Sequence, residues 1–159
     1  MADGFAAELQ GIDEMRRRLD QVPATLRKKV LLKALRNGAQ IISRDAKARA
    51  PVLVKPAPFR KPGTVRKAIS VRASKLARQA GDVGVFVGVK ALRGARQKKL
   101  GKAGAKNPND PYYWRFLEFD TRRGPGKKFL THAASNKASA ALDAAIAEVA
   151  PAIEKMDRR

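Results

Sequence analysis

Few side chains in this sequence could do bond-breaking chemistry. There is one histidine, His132, and no cysteine, so a thiolate nucleophile, a thiolate metal site and a disulfide framework are all excluded. A lone histidine near the start of a helix is ordinarily structural or solvated. Asp13 and Glu14 are neighbours in sequence and diverge on a helix. No carboxylate cluster has the density a divalent cation needs. The glycine-rich stretches lack the Gly-x-x-x-x-Gly-Lys-Ser/Thr phosphate loop. We therefore expect no enzyme, no metal and no cofactor.

Two other concentrations of chemistry remain. The first is aromatic: six of the nine Phe, Tyr and Trp residues fall between Asp110 and Leu130. Such a knot in a chain rich in alanine and valine is a core anchor or a contact surface. Glu118 stands inside it between Leu117 and Phe119. A carboxylate among large apolar groups must be held, by an arginine or by backbone amides. Tyr112, Tyr113, Trp114, Glu118, Phe119, Thr121 and Phe129 are the candidate subunit- or partner-contact residues. The second concentration is charge. The 159-residue chain carries a formal net charge of +21, and residues 55–107 hold fifteen Lys/Arg against one acid, Asp82. An imbalance of this size implies an anionic environment: nucleic acid, anionic membrane or an acidic protein. Arg93, Arg96, Lys98, Lys99, Lys102 and Lys106 follow one another without an intervening acid, and form the candidate basic loop.

The length suits one domain with a real core. No apolar run reaches the roughly 20 residues that span a bilayer, and no signal peptide is recognisable. Residues 5–10 fit a strand or a helix. From Ile12, apolar spacing predicts a helical segment to residue 50, interrupted at Pro23. Its longer part buries Leu31, Leu35, Gly38 and Ile42, widened by Leu26, Val30, Ala34 and Ile41. Gly38 on that face marks a close crossing. Residues 51–63 form a proline-rich extended connector. Residues 64–90 predict an antiparallel hairpin, with strands over 65–73 and 83–90, although the first turn after Val65 also fits a helix. In the second strand Val83, Val85, Val87 and Val89 alternate cleanly, and Gly84 and Gly88 invite close packing on the other face. Residues 91–110 predict a loop with no apolar period. The segment 111–123 carries the aromatic motif, and Tyr113, Phe116 and Leu117 leave strand and helix both open for 111–118. A last helix is expected over 129–157, burying Ala138, Leu142, Ile146, Val149, Ile153 and Met156, with Pro151 kinking it or starting a final turn.

The run Tyr112-Tyr113-x-x-Phe116-Leu117-Glu118-Phe119-Asp120-Thr121, followed by Phe129-Leu130 and Ala133, resembles a tailed-bacteriophage family. Its members are morphogenesis proteins of lambdoid siphophages, known as tail-completion, neck or head–tail joining proteins. Gly11-Ile12-Asp13-Glu14-Met15 resembles the family's Gly-Leu-Asp-Glu-Leu opening, and this favours a short strand before Gly11. Ala50-Pro51 and Pro62-Gly63-Thr64-Val65-Arg66-Lys67-Ala68-Ile69 resemble its middle element. Asp120 stands where the family has glycine, and Lys128 and His132 where it has prolines. The resemblance implies an α/β (α+β) subunit like a tail terminator. In it a small antiparallel sheet is packed by a long helix from the N-terminal half and a C-terminal helix.

The resemblance further implies a structural virion protein of the neck or tail top, assembled in the host bacterial cytoplasm. It would form a homo-oligomeric ring, a hexamer by the symmetry of such tails, joining the head-side connector or stopper to the tail tube. Double-stranded DNA would pass through the ring without sequence preference, and no membrane is involved. The alternative, from charge alone, is a sequence-independent nucleic-acid-binding protein. Against it, the basic stretch lacks interleaved aromatics for base stacking.

Overall fold

The computed structural model describes residues 16–55, 57–122 and 124–157. The expectations for residues 5–10 and for the helix start at Ile12 lie outside them. Residues 16–20 are helical, and Leu19 and Val22 are buried. Pro23 then leads into α1, Ala24–Arg49. Next come α2 (Thr64–Ala68), β1 (Ile69–Ala73), α3 (Lys75–Gln79), β2 (Val85–Val89), α4 (Ala95–Leu100), α5 (Trp114–Glu118) and α6 (Phe129–Asp157). The fold is mixed α/β, a two-stranded antiparallel sheet packed against the long helix α1 and the C-terminal helix α6.

The close crossing expected at Gly38 is present, and it dictates the helix pair. A Cβ on residue 38 would run into the backbone carbonyl of Ala141. Around this point α1 buries Ala34, Gly38, Ala39, Ser43 and Ala46, while Leu31, Leu35 and Ile42 are half-buried and Leu26 is exposed. The facing line on α6 is Phe129, Ala133, Ala141, Ala145, Val149 and Ile153, members of a single four-residue ladder. Val149 and Ile153 are buried as the sequence predicts, whereas before them the buried line lies one position away from the expected one. Ala138 and Leu142 are exposed and Ile146 is half-buried, and the side chain of Met156 lies outside the described residues. Following large apolar residues selects the wrong ladder at 138–146, because a crossing this tight admits alanine and excludes leucine. Lys33 and Asn37 of α1 both reach Glu148 of α6 and hold its carboxyl below the usual range. Helix α6 continues through Pro151 to Asp157, so the proline does not start a separate final turn.

The strands pair in the register Ile69↔Val89, Val71↔Val87 and Ala73↔Val85. The expected first strand is shorter than 65–73. Residues Thr64–Ala68 are helical and bury Val65 and Ala68, which with Ile69 have the i, i+3, i+4 spacing of a helical face. A helical turn, α3, also interrupts the hairpin connection. Ser74 caps it, accepting from the Ala77 amide at 3.2 Å, and Ala77 sits against Gly84. The core joins Ala46 and Ala50 of α1 and its end to Val65, Ala68, Ile69, Val89, Tyr113, Phe129 and Ala133. A second cluster joins Leu19 and Ala34 to Ala145, Val149 and Ile153.

Candidate interaction surface

The aromatic segment forms a short helix, α5, and this settles the choice between strand and helix over 111–118. Its last residue, Glu118, is 2% exposed. The carboxylate accepts from the Leu130 amide at 2.9 Å, the Thr131 amide at 2.9 Å and the Thr131 hydroxyl at 2.7 Å. These amides belong to the first turn of α6, whose N–H groups have no partner inside the helix. The residue before α6, Lys128, has φ 49° and a side chain that cannot accept a hydrogen bond. The cap therefore comes from another helix, and a negative charge there also suits the positive end of the α6 dipole. Of the two partners the sequence allows for Glu118, amides are the ones present.

The chain between Glu118 and Lys128 is a closed excursion. Lys127 donates to the Leu117 carbonyl at 2.7 Å and Lys128 to that of Glu118 at 3.3 Å. Gly126 sits so near the Glu118 and Phe119 backbone that a Cβ would collide with it. At the tip, Thr121 and Gly124 exchange backbone hydrogen bonds of 2.9 and 3.1 Å. Asp120 accepts from the Gly126 amide at 2.9 Å and pairs with Lys128 Nζ at 3.2 Å. The Gly126 hydrogen bond and then Lys128 hold its carboxyl below the ordinary carboxylate range.

The candidate contact residues divide between interior and surface. Tyr113 and Phe129 are buried with Glu118 inside the chain, Tyr112 and Trp114 are half-buried, and Phe119 and Thr121 are exposed. Burial pushes the Tyr113 phenol up, opposed by the Arg60 guanidinium, which lies 5.2 Å from the ring centroid. Tyr112 meets Tyr113 edge-on at 5.6 Å. Phe116, which is not among the candidate contact residues, is 64% exposed, and Phe119 is 57% exposed. The Trp114 ring lies 6.3 Å from Phe119, and Arg115 sits 5.7 Å from the Trp114 centroid.

The basic stretch is more ordered than its composition implies. The sequence predicts a loop over residues 91–110, yet Ala95–Leu100 is helical and Leu92 is buried. Asn107 gathers the chain behind that helix, its amide donating to the Leu100 and Lys102 carbonyls, both at 2.9 Å. Asp110, 5% exposed, accepts from the Gly104 amide at 2.7 Å. Local polar side chains supply this order, which hydrophobic periodicity cannot reveal. Arg93, Lys98, Lys99, Lys102 and Lys106 are exposed, while Arg96 is half-buried and donates to the Lys90 carbonyl at 3.3 Å.

Among the described residues no three His, Asp or Glu side chains are grouped to hold a metal ion. No described helix is long and apolar enough to cross a membrane. Nothing among curated proteins or solved structures matches the chain. A family model does match, over residues 13–119, with the description "Bacteriophage HK97-gp10, putative tail-component". The matched span covers α1, the sheet and α5. By this match over more than half its length, the chain belongs to the HK97-gp10-like family of bacteriophage tail components.

Proposed function

We propose that this tail component is a ring-forming subunit of the neck or tail top, joining the head-side connector or stopper to the tail tube while DNA passes through its opening. The observation that carries the reading is the surface of Trp114, Phe116 and Phe119. Phe116 and Phe119 are largely exposed, yet Phe116 stands on α5 and Phe119 directly follows it, next to the buried Glu118 that fixes the helix end. A rigid, exposed aromatic surface is poor for solubility and good for a permanent contact. Contact with other virion proteins follows from the family, and self-association into a hexamer is the finer reading. The net charge of +21 fits a channel that needs an electrostatic lining and no base readout.

Electron microscopy tests this directly. The purified chain should form closed rings without nucleic acid, and Phe116→Ser with Phe119→Ser should leave folded monomers. Particles made without the chain should accumulate unjoined heads and tails. Normal joined particles in its absence would refute the joining role. The second reading, a free nucleic-acid-binding protein, is favoured by the exposure of Arg93, Lys98, Lys99, Lys102 and Lys106. It predicts salt-dependent duplex binding by monomers that never form rings.

A further inference from the structure

We propose that an open cleft between the C-terminal end of α1 and α2 binds the phosphate backbone of duplex DNA through Lys47, Arg66 and Lys67. This inference rests on the reading that DNA passes the assembled protein, and it assigns the DNA-facing role to residues outside the 93–106 stretch. The cleft is open to solvent, has a volume of about 600 Å³ and is lined by Lys47, Val52, Pro62, Gly63, Arg66 and Lys67. Three of the six are cations and none is an acid.

Lys47 lies about twenty residues from the other two, so the cluster is a product of the fold. Arg66 and Lys67 sit between Val65 and Ala68, which pack with Ala46 and Ala50 in the main core. Burial on both sides of the pair fixes their backbone, and Lys47 follows Ala46 directly. The charges therefore start from rigid elements. The nearest preceding acid, Asp45, is engaged by Arg49 at 2.6 Å. Residues 46–81 contain ten Lys/Arg and no Asp or Glu. Like charges converging on one concavity repel, and an anion entering it removes that repulsion.

The lining also selects the anion. Its polar side chains are the three cations, which can pair with the phosphates of any sequence, and its apolar members are Val52 and Pro62. Bonds to phosphate position a duplex without reading it. A duplex presents a charge about every 1.7 Å of its axis, enough to meet the cleft and its basic surroundings together. An acidic protein would have to supply a carboxylate cluster and apolar cover for Val52, and is the less complementary partner.

The test is fluorescence anisotropy of the full chain with a short duplex of mixed sequence, between about 50 and 200 mM salt. Wild type should bind with a steep salt slope that is the same for unrelated sequences. Lys47→Gln, Arg66→Gln and Lys67→Gln together should lower that slope by about 2.7, since each phosphate a cation neutralises adds about 0.9. Arg66→Gln and Lys67→Gln alone, both at exposed positions, should each lower it by about 0.9, so the prediction survives a triple variant that folds poorly. An unchanged slope in the variants, or no duplex binding by wild type at the lowest salt, would overturn the assignment. So would variants that bind DNA normally but no longer join tails, since the cleft would then meet a protein. Ring formation without DNA is read separately by electron microscopy. Its failure in wild type and variants alike counts against the proposed ring and leaves the cleft result standing.

Discussion

Two stretches of this chain each depend on one buried carboxylate, and they use it at different range. Glu118 is 2% exposed and Asp110 is 5% exposed, so both have left water almost completely. Glu118 reaches 12 and 13 residues ahead to two amides and a hydroxyl at the start of a 29-residue helix. Asp110 reaches six residues back to a single amide inside its own loop. A buried carboxylate costs desolvation in either place, and hydrogen bonds must offset it. The first arrangement ties α5 to α6 and so to the core. The second shapes its own segment, which is joined to α2 separately, by the Thr64 hydroxyl donating to the Pro108 carbonyl at 3.0 Å. The same residue class thus acts on the whole fold in one region and on local shape in the other.

The sharpest way to break this comparison is Glu118→Ala. It removes three hydrogen bonds and leaves the Leu130 and Thr131 amides without their acceptor. Loss of a charged cap and its hydroxyl partner should cost about 3 kcal/mol. Chemical denaturation should show a lower midpoint with the slope retained. If the loss is below the 0.5 kcal/mol or so of an ordinary surface change, the carboxylate does not organise the fold. Glu118→Gln should fall between, since one oxygen can still accept.

If Glu118 acts by seating α6 against α1, damage to the crossing itself should produce a similar global loss. Gly38→Ala places a methyl against the Ala141 carbonyl, and the helices must separate or slide. Overpacking of this kind costs about 1–3 kcal/mol. Thermal unfolding of the variant should remain cooperative at a lower midpoint. An unchanged midpoint would mean that the helix pair adapts freely, and the ladder of Ala133, Ala141 and Ala145 would lose its explanation.

How much of this is legible in the sequence depends on the range over which each signal acts. Alternation at Val85, Val87 and Val89 is local and periodic, and it reveals the strand, its partner and the hairpin. Helix α1 and the bounds of α6 are equally readable. The Gly38 crossing is foreseeable, as are Val149 and Ile153 on α6, yet the alanine part of that ladder is not, because a search for large side chains bypasses the alanines that tight packing requires. The aromatic knot and Glu118 are legible as a place where something must be held. The holder is not, since backbone amides carry no sequence letter and come from the next helix. Helix α4 escapes because Asn107 and Asp110 order that region through polar hydrogen bonds. The basic cleft is invisible in one dimension, with Lys47 and the Arg66-Lys67 pair meeting only after α1 and α2 dock.

The local side of the comparison is tested by Asp110→Ala. It removes one charge-assisted hydrogen bond, to the Gly104 amide, and should cost about 1–2 kcal/mol. The loss should be felt within residues 100–110 through sub-global opening. Limited trypsin digestion should cut sooner after Lys98, Lys99, Lys102 or Lys106, while the global midpoint moves much less than in Glu118→Ala. A global loss as large as that of Glu118→Ala would erase the distinction between the two carboxylates.

The smallest effect belongs to a third carboxylate, Asp120, which holds the tip of the excursion that Glu118 closes. It lies in the open, with its pKa below the ordinary 3.8 because of the Gly126 amide and Lys128. A carboxyl depressed in the folded state favours folding fully above the unfolded value. That contribution is lost as pH falls through the lower, folded value. The window therefore lies below about pH 4, and salt should narrow it, because the pair with Lys128 is solvent-exposed. Acidification through that range should shift the Gly126 amide resonance and speed its hydrogen exchange. The Leu130 amide, whose acceptor is Glu118, should not follow Asp120. Asp120→Asn retains an oxygen for Gly126 but cannot titrate, so it should abolish the acid-dependent shift and leave the neutral-pH structure in place. If the Gly126 shift persists in that variant, the titrating group is not Asp120. If the Leu130 amide moves in step with Gly126 in wild type, tip and cap are one unit, and Asp120 shares the long-range role assigned to Glu118.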